Sequence, residues 1–457
     1  MARKISILGA GLVGSLLAVL LQKRGYTVTV YERRPDMRSA NAYAGRSINL
    51  AMSVRGWKGL ELAGLREAIE EIAIPMYGRK IHNLDGSSPF QAYGKNNEAI
   101  YSVSRGELNK KLMSLAEASG ATICFEHRAT DVDIKNNVVH FETPDGEKIV
   151  SDHEIIISAD GAFSALRNAY MKTDRFNYNQ FYIEHGYKEL SIPPDAAGQF
   201  KLEKEVLHIW PRKNFMMIAL PNTDGTFTCT LFFPFEGQPS FNSVRTNEEV
   251  MAFFQEQFPN AVPLMPTLLE DYQQNPTSSL VTVKCFPWIY EDKSMLIGDA
   301  AHAIVPFYGQ GMNCGFEDCW YLMKILDENP NAGWGDIFKK YQDVRKINGD
   351  AVADLALANF IEMRDKVAEP KFLERKKIEK DLGLMFPGIF NSVYEMVSFS
   401  QTPYNTAIRS QQAQDKLLER IMNEGDFYTL RDQENFQQQL AVWMTEYEND
   451  IAQISKQ

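Results

Sequence analysis

The chain has 457 residues, 44% hydrophobic and 23% charged, with 48 basic against 59 acidic side chains and a formal net charge of −11. That acidic balance, with no basic block, argues against non-specific nucleic-acid binding, and the length suffices for two or three domains with ample core. Five scattered cysteines (Cys124, Cys229, Cys285, Cys314, Cys319) form no CxxC pair, so neither a disulfide framework nor a zinc site is indicated and the expected setting is reducing and intracellular.

The first element, Lys4 to Leu8, is a short apolar run of the kind that forms a buried parallel strand. Gly9-Ala10-Gly11-Leu12-Val13-Gly14 follows at once, and Leu16, Leu17, Val19, Leu20 and Leu21 then recur at helical spacing. In a strand–turn–helix, Gly9 permits the tight turn, Gly11 lets a pyrophosphate approach the backbone, and Gly14 lets the helix pack on the sheet. The phosphates would sit at the helix N-terminus. A second strand, Thr27 to Tyr31, ends at Glu32, a carboxylate placed to accept hydrogen bonds from a ribose. Alone, this stretch is also compatible with a signal peptide or a chance glycine match. Both readings fail to anticipate the two segments further on.

Residues 97–165 read as a helix over 105–119 and strands near 122–126, 131–134, 138–142 and 154–158, with a turn at Pro144-Asp145-Gly146. Arg105 opens the helix and could reach a pyrophosphate or make a surface ion pair. The last strand ends in Ala159-Asp160-Gly161, either a second cofactor contact or an ordinary strand exit. From about 176 to 284 the texture changes to alternating stretches, Glu205 to Trp210, Phe215 to Leu220 and Phe227 to Phe233, broken by Pro211, Pro221 and Pro234. These predict antiparallel strands of a separate, inserted sheet, with residues 76–96 pairing to it.

The third segment is Ser294 to Asp299, a strand ending in Gly298-Asp299, followed by Pro306-Phe307-Tyr308-Gly309-Gln310-Gly311-Met312-Asn313 and a helix to about Leu326. A carboxylate at that sheet edge can hold ribityl hydroxyls or cap the helix. The glycines let backbone approach a flat ring, and the helix start favours negative charge on it. Beyond about 335 the pattern is helical to the end, and no apolar run there reaches the roughly 20 residues needed to cross a bilayer.

With these motifs in place, the sequence resembles the group A flavoprotein monooxygenases, the family of para-hydroxybenzoate hydroxylase. The likeness rests on Gly45 to Ala51, Ser102 to Leu108, Asp160 to Ser164, His185-Gly186-Tyr187, Gly298 to His302 and Pro306 to Asn313. Arg79-Lys80-Ile81-His82 and Asn359-Phe360-Ile361-Glu362-Met363-Arg364 are specific to its kynurenine-hydroxylating branch. The resemblance implies an α/β fold: a Rossmann-like FAD-binding domain of the para-hydroxybenzoate hydroxylase type (1–75, 97–175 and 285–335), an inserted antiparallel-sheet substrate domain (76–96 and 176–284), and a C-terminal helical region (336–457). It implies noncovalent FAD, NADPH as transient co-substrate, and O2 forming a flavin C4a-hydroperoxide that oxygenates L-kynurenine. A related hydroxylase of another phenol or aminobenzoate, or a non-catalytic flavin redox sensor, stays open.

Carried onto this sequence, the family's FAD contacts fall on Gly9, Gly11, Val13, Gly14, Glu32, Arg33, Ala51, Arg105, Thr130, Asp160, Asp299, Gly311, Met312 and Asn313. Its substrate-head contacts fall on Arg79, Tyr93, Asn359 and Tyr394. Pro306, Phe307, Tyr308 and Gly309 would position the ring, with no side chain required as acid or base. Tyr308 stands where the family has phenylalanine or histidine. The membrane-bound members carry a hydrophobic C-terminal anchor, which this sequence lacks, so the resemblance is to the soluble bacterial form, cytoplasmic and a monomer or homodimer. No metal is expected.

Overall fold

The computed structural model describes residues 3–39, 48–94, 97–362 and 370–455. Its central sheet has six strands in the order Ile289–Tyr290, Ser294–Leu296, Ile155–Ser158, Lys4–Leu8, Thr27–Tyr31, Thr122–Cys124. All neighbours are parallel except the first pair. Strands this apolar are stable only when covered on both faces. Helix Leu12–Gln22, whose Leu16, Leu17, Leu20 and Leu21 are buried, packs against helices Arg105–Ala118 and Gly311–Glu328 and closes the core. The three sequence segments therefore leave the carboxyl ends of three adjacent strands, the edge where open α/β sheets bind ligands.

A second sheet of seven strands runs Ser278–Phe286, Asn177–Ile192, Phe227–Pro234, Phe215–Pro221, Leu207–Arg212, Gly78–Ile81, Phe90–Ala92. Of residues 76–96, Gly78–Ile81 and Phe90–Ala92 pair with it, Arg79 lying opposite Leu207 in a parallel register, while Met76 pairs with Ile100 in a smaller sheet. Three details differ from the sequence reading. Pro211 lies inside its strand; Ile209 is the last residue on the side of Gly78–Ile81, so the missing N–H of Pro211 breaks no ladder there. Asn177–Ile192 is one long strand. Two helices, Asn247–Gln257 and Leu268–Gln274, cover the outer face through Val250, Phe253, Phe254 and Leu268. Smaller sheets join Asn49–Met52, Ile100–Ser104 and Ala73–Met76, and Lys148–Asp152, Val138–Glu142 and Arg128–Asp133. The C-terminal part is helical, as its periodicity predicts, and among the described residues no helix is long and apolar enough to cross a membrane.

The strand carrying Arg79 is tied to its neighbour by two buried histidines. His208 Nε2 donates to the Glu203 carbonyl at 2.8 Å, so its Nδ1 accepts from His82 Nε2 at 2.9 Å, and Asn260 donates to His82 Nδ1 at 3.1 Å. The chain is complete only with both rings neutral. Burial holds both pKa values down to about 4, with His208 adding to the effect on His82. Because both folded values lie below the unfolded value of ~6.5, their contribution to stability is complete above that pH and is lost as pH falls toward 4. We expect the wild type to lose stability relative to a His82→Gln/His208→Gln double variant between pH 6.5 and 4. Parallel denaturant midpoints across that window would show that the pair is not held neutral.

Candidate active site

One continuous cavity of about 780 Å³ runs from the glycine turn after the first strand to the inner face of the seven-stranded sheet. Its first end is built by close backbone packing. Gly9 has φ +94°, and a Cβ there would meet the Ala159 carbonyl at 2.6 Å; one on Gly14 would lie 2.0 Å from the Gly9 oxygen. Gly11, by contrast, has nothing within 4 Å of where its Cβ would stand, and Gly161 is equally open at φ +85°. Both line the cavity, so the space they leave is space for a ligand. Helix Leu12–Gln22 begins at Gly11 with no side-chain cap, leaving its first N–H groups as anion donors. Val13 fills the gap between Gly298 and Gly315, where a Cβ would come within 3.1 and 2.5 Å of it.

Glu32 lies at the end of the second strand, with Arg33, Arg34 and Thr130 beside it on the wall. Its carboxylate accepts from Ala10 N at 2.9 Å and from Arg34 N and Nε at 3.0 and 2.8 Å. Burial opposes that charge, yet the Arg34 bonds hold the pKa below the usual range. Asp160 also lines the cavity, but both oxygens serve its own turn, taking Ser158 Oγ at 2.5 Å and Ala165 N at 2.8 Å. The strand-exit reading accounts for these contacts. Asp299 differs: it follows Gly298 (φ +61°), exposes its side chain to the cavity, and has its pKa raised by burial against the pull of Arg105. It is the first residue of a four-residue helix whose N-cap position is Gly298, so Asp299 does not itself stand at the cap.

The middle of the cavity is bounded by the turn Pro306–Tyr308, Gly309 (φ +65°) and the start of helix Gly311–Glu328, again uncapped. Gly311, Met312 and Ala51 face the space. Asn313 does not. Its side chain donates to the carbonyls of Ala51 (2.9 Å) and Gly309 (2.8 Å) and accepts from Ser53 N (2.9 Å), fixing that wall from behind.

At the far end Arg79 presents its guanidinium to two rings, 4.9 Å from Tyr394 and 5.4 Å from Tyr93. Among the described residues it has no carboxylate partner; its guanidinium lies against the Tyr93 and Tyr394 hydroxyls, while its buried Nε finds no acceptor. Burial disfavours its charge, but the neighbouring phenols more than offset this and its pKa lies above the ordinary value. Tyr308 continues the stack, 5.8 Å from Tyr394. Asn359 stays outside the cavity, where its amide donates to the Phe307 carbonyl at 2.8 Å and steadies the turn. Gly14 likewise acts through packing, as the sequence predicts. The resemblance motif residues Gly45 to Ser47, and Met363 and Arg364, lie outside the described residues.

Sequence reasoning missed the apolar wall between the two ends: Leu207 and Ile209; Met216, Ile218 and Leu220; Phe232. Leu207 and Ile209, and Met216, Ile218 and Leu220, stand at every second position of one strand and so share a face. It also missed a cluster of buried charges under the cavity, Arg55, His302, Glu317, Asp318 and Arg345. His302, Cys314 and Asp318 lie close enough to suggest a metal site. However, the Arg345 guanidinium contacts both Asp318 (2.6 Å) and Cys314 Sγ (3.3 Å) and fills that place with positive charge.

The cavity has the features a flavin dinucleotide needs: two uncapped helix starts, bare glycines on the wall, and a carboxylate at the sheet edge. Residues 3–356 match a family described as an FAD binding domain. Kynurenine 3-monooxygenase of Christiangramia forsetii is 48% identical over 426 residues, covering 92% of this chain and 94% of its own. The enzyme of that name from Dictyostelium discoideum is 47% identical, with 94% and 95% covered. Among solved structures, 2-methyl-3-hydroxypyridine-5-carboxylic acid oxygenase superposes with a TM-score of 0.65 at 21% identity, covering 82% of this chain and 95% of the other. p-Nitrophenol 4-monooxygenase of Pseudomonas putida gives 0.64 at 16%, covering 84% and 94%. These two likenesses concern the fold.

Proposed function

The chain belongs to the FAD-binding monooxygenase family, among the kynurenine 3-monooxygenases, and from that premise we infer that it hydroxylates L-kynurenine to 3-hydroxy-L-kynurenine with NADPH and O2. The observation that best supports the substrate is Arg79: an enclosed guanidinium with no acidic partner among the described residues, set against the Tyr93 and Tyr394 phenols at the end of an apolar chamber. A buried cation in that state is stabilised by a ligand carboxylate, which it can grip with two hydrogen bonds.

Bound FAD supplies the chemistry, taking electrons from NADPH and activating O2. The residues supply placement. Gly11 and the start of helix Leu12–Gln22 hold the pyrophosphate, Glu32 the adenosine ribose, and Asp299 the ribityl chain. The uncapped N–H groups at Gly311 and Met312 favour negative charge on the reduced ring. Arg79, Tyr93 and Tyr394 anchor the amino-acid head, and Phe232, Ile218 and Met216 seat the aniline ring and exclude water. The amino group of that ring activates its ortho carbon, so no acid or base from the protein is needed. We place the enzyme in the cytoplasm; among the described residues no helix is long and apolar enough to cross a membrane.

Purified protein supplied aerobically with L-kynurenine, NADPH and 18O2 should yield a product one labelled oxygen heavier, co-eluting with 3-hydroxykynurenine. NADPH oxidation stimulated instead by simple phenols or aminobenzoates, with kynurenine unchanged, would move the assignment to a related hydroxylase. Yellow protein that hydroxylates none of them would favour a redox sensor.

A further inference from the structure

Directly behind the Asp299 turn and the helix start at Gly311 lies a set of charges that neither the substrate nor the cofactor contacts above require. Arg55, His302, Glu317, Asp318 and Arg345 are each between 0 and 3% exposed. Arg55 Nη1 meets Glu317 Oε1 at 2.5 Å, and Arg345 Nη1 meets Glu317 Oε2 at 2.7 Å. Arg345 Nε takes Asp318 Oδ1 at 2.6 Å, and His302 Nε2 takes Asp318 Oδ2 at 2.6 Å. Every oxygen of the two carboxylates is thus held by a nitrogen of an Arg or His side chain. The same Asp318 oxygen accepts Gly298 N at 3.2 Å, at the turn that aims Asp299 into the cavity. Arg55 Nε also donates to the Val397 carbonyl at 2.8 Å, in the helix that carries Tyr394. The other groups around His302 are Cys314, whose Sγ is 4.0 Å from Nδ1, Trp288 at 5.1 Å between ring centroids, and Asp299 on its own short helix.

Buried ion networks of this size rarely add stability over an apolar core of equal volume. This one has three basic side chains for two acids. We propose that His302 is an imidazolium and that the Arg55–Glu317–Arg345–Asp318–His302 network is a positioning and electrostatic element of the flavin site, its one surplus positive charge favouring the reduced, anionic ring. The proposal rests on the FAD reading. Burial works against a charged His302, but Asp318 and Cys314 reverse that and raise its pKa well above the ordinary value, while Asp318 is held low by His302 and Arg345 despite its burial.

The test is the two-electron reduction potential of the FAD-loaded protein, measured by equilibration with reference dyes. His302→Gln removes the surplus charge, and the reduced-to-oxidised ratio at fixed potential should fall at least tenfold. Glu317→Gln adds a surplus, and the ratio should rise by a similar factor. A network that is structural only would move both variants the same way or leave the potential in place, either of which overturns the proposal. A wild type that takes up no FAD would instead overturn the reading beneath it. Should the variants fail to fold, 15N-histidine NMR of the wild-type holoenzyme decides. Of the seven histidines, one ring should keep both nitrogens protonated at about pH 8.5; neutral signals from all seven contradict it.

Discussion

Arg79→Met weakens L-kynurenine binding by about 2–5 kcal/mol, roughly 30-fold to several thousand-fold in Kd, while FAD content and the thermal midpoint change little. The expected size follows from enclosure. Arg79 has no acid within reach among the described residues, so its charge is compensated by ring faces and phenol dipoles until a carboxylate arrives. Methionine keeps the packing of the stem against Tyr93 and Tyr394 but cannot donate to a carboxylate. Losing a desolvated, two-point charge contact removes far more than a surface ion pair does. The apoprotein should tolerate the change, since among the described residues no ion pair is broken and the stem packing is kept. Equilibrium titration of the holoenzyme reads the effect, and an unchanged Kd removes Arg79 from the carboxylate.

Two glycines of one turn should fail in opposite ways. Gly14→Ala places a methyl 2.0 Å from the Gly9 carbonyl, so the first helix must move off the sheet. The cost is ~1–3 kcal/mol or more, and thermal stability falls with or without FAD. Gly11→Ala meets no protein atom within 4 Å, and Gly11 has φ −71° with extended ψ, a conformation alanine adopts freely. Its fold should be unharmed or slightly firmer. The methyl enters the cavity where the pyrophosphate is proposed to lie, so FAD affinity should drop tenfold or more. Gly11→Ala protein that binds FAD like the wild type would show that the dinucleotide does not pass over this turn.

How much of this could be seen in the sequence depended on the range of the physics involved. The parallel strands, the glycine turn and the C-terminal helices are local: apolar period and bare glycines in a fixed order determine them, and they stand where expected. Asp299 was legible as either a ribityl contact or a helix cap, and its place on the cavity wall follows only from the fold. Asn313 and Asn359 were legible as important but not in their manner of acting. Both brace the turn from Phe307 to Gly309 from outside the cavity, which only the packing reveals. Phe232, Met216 and Ile218 stand in runs that are apolar on both faces, and which face of the sheet meets the cavity depends on the docking of distant segments. The buried network was illegible for a stronger reason. Arg55 and Glu317 stand 262 positions apart, and a charged residue in a helix reads by default as solvated surface.

The central claim is that one chamber holds a flavin ring against Gly311 and Met312 and an amino-acid carboxylate on Arg79. A crystal structure of the FAD-loaded protein with L-kynurenine tests it most directly. The expected density places the isoalloxazine beside Pro306 to Met312, the substrate carboxylate in hydrogen-bond contact with Arg79, and the aniline ring against Phe232 between them. Substrate bound with its carboxylate away from Arg79, or flavin seated elsewhere than beside Gly311, contradicts it.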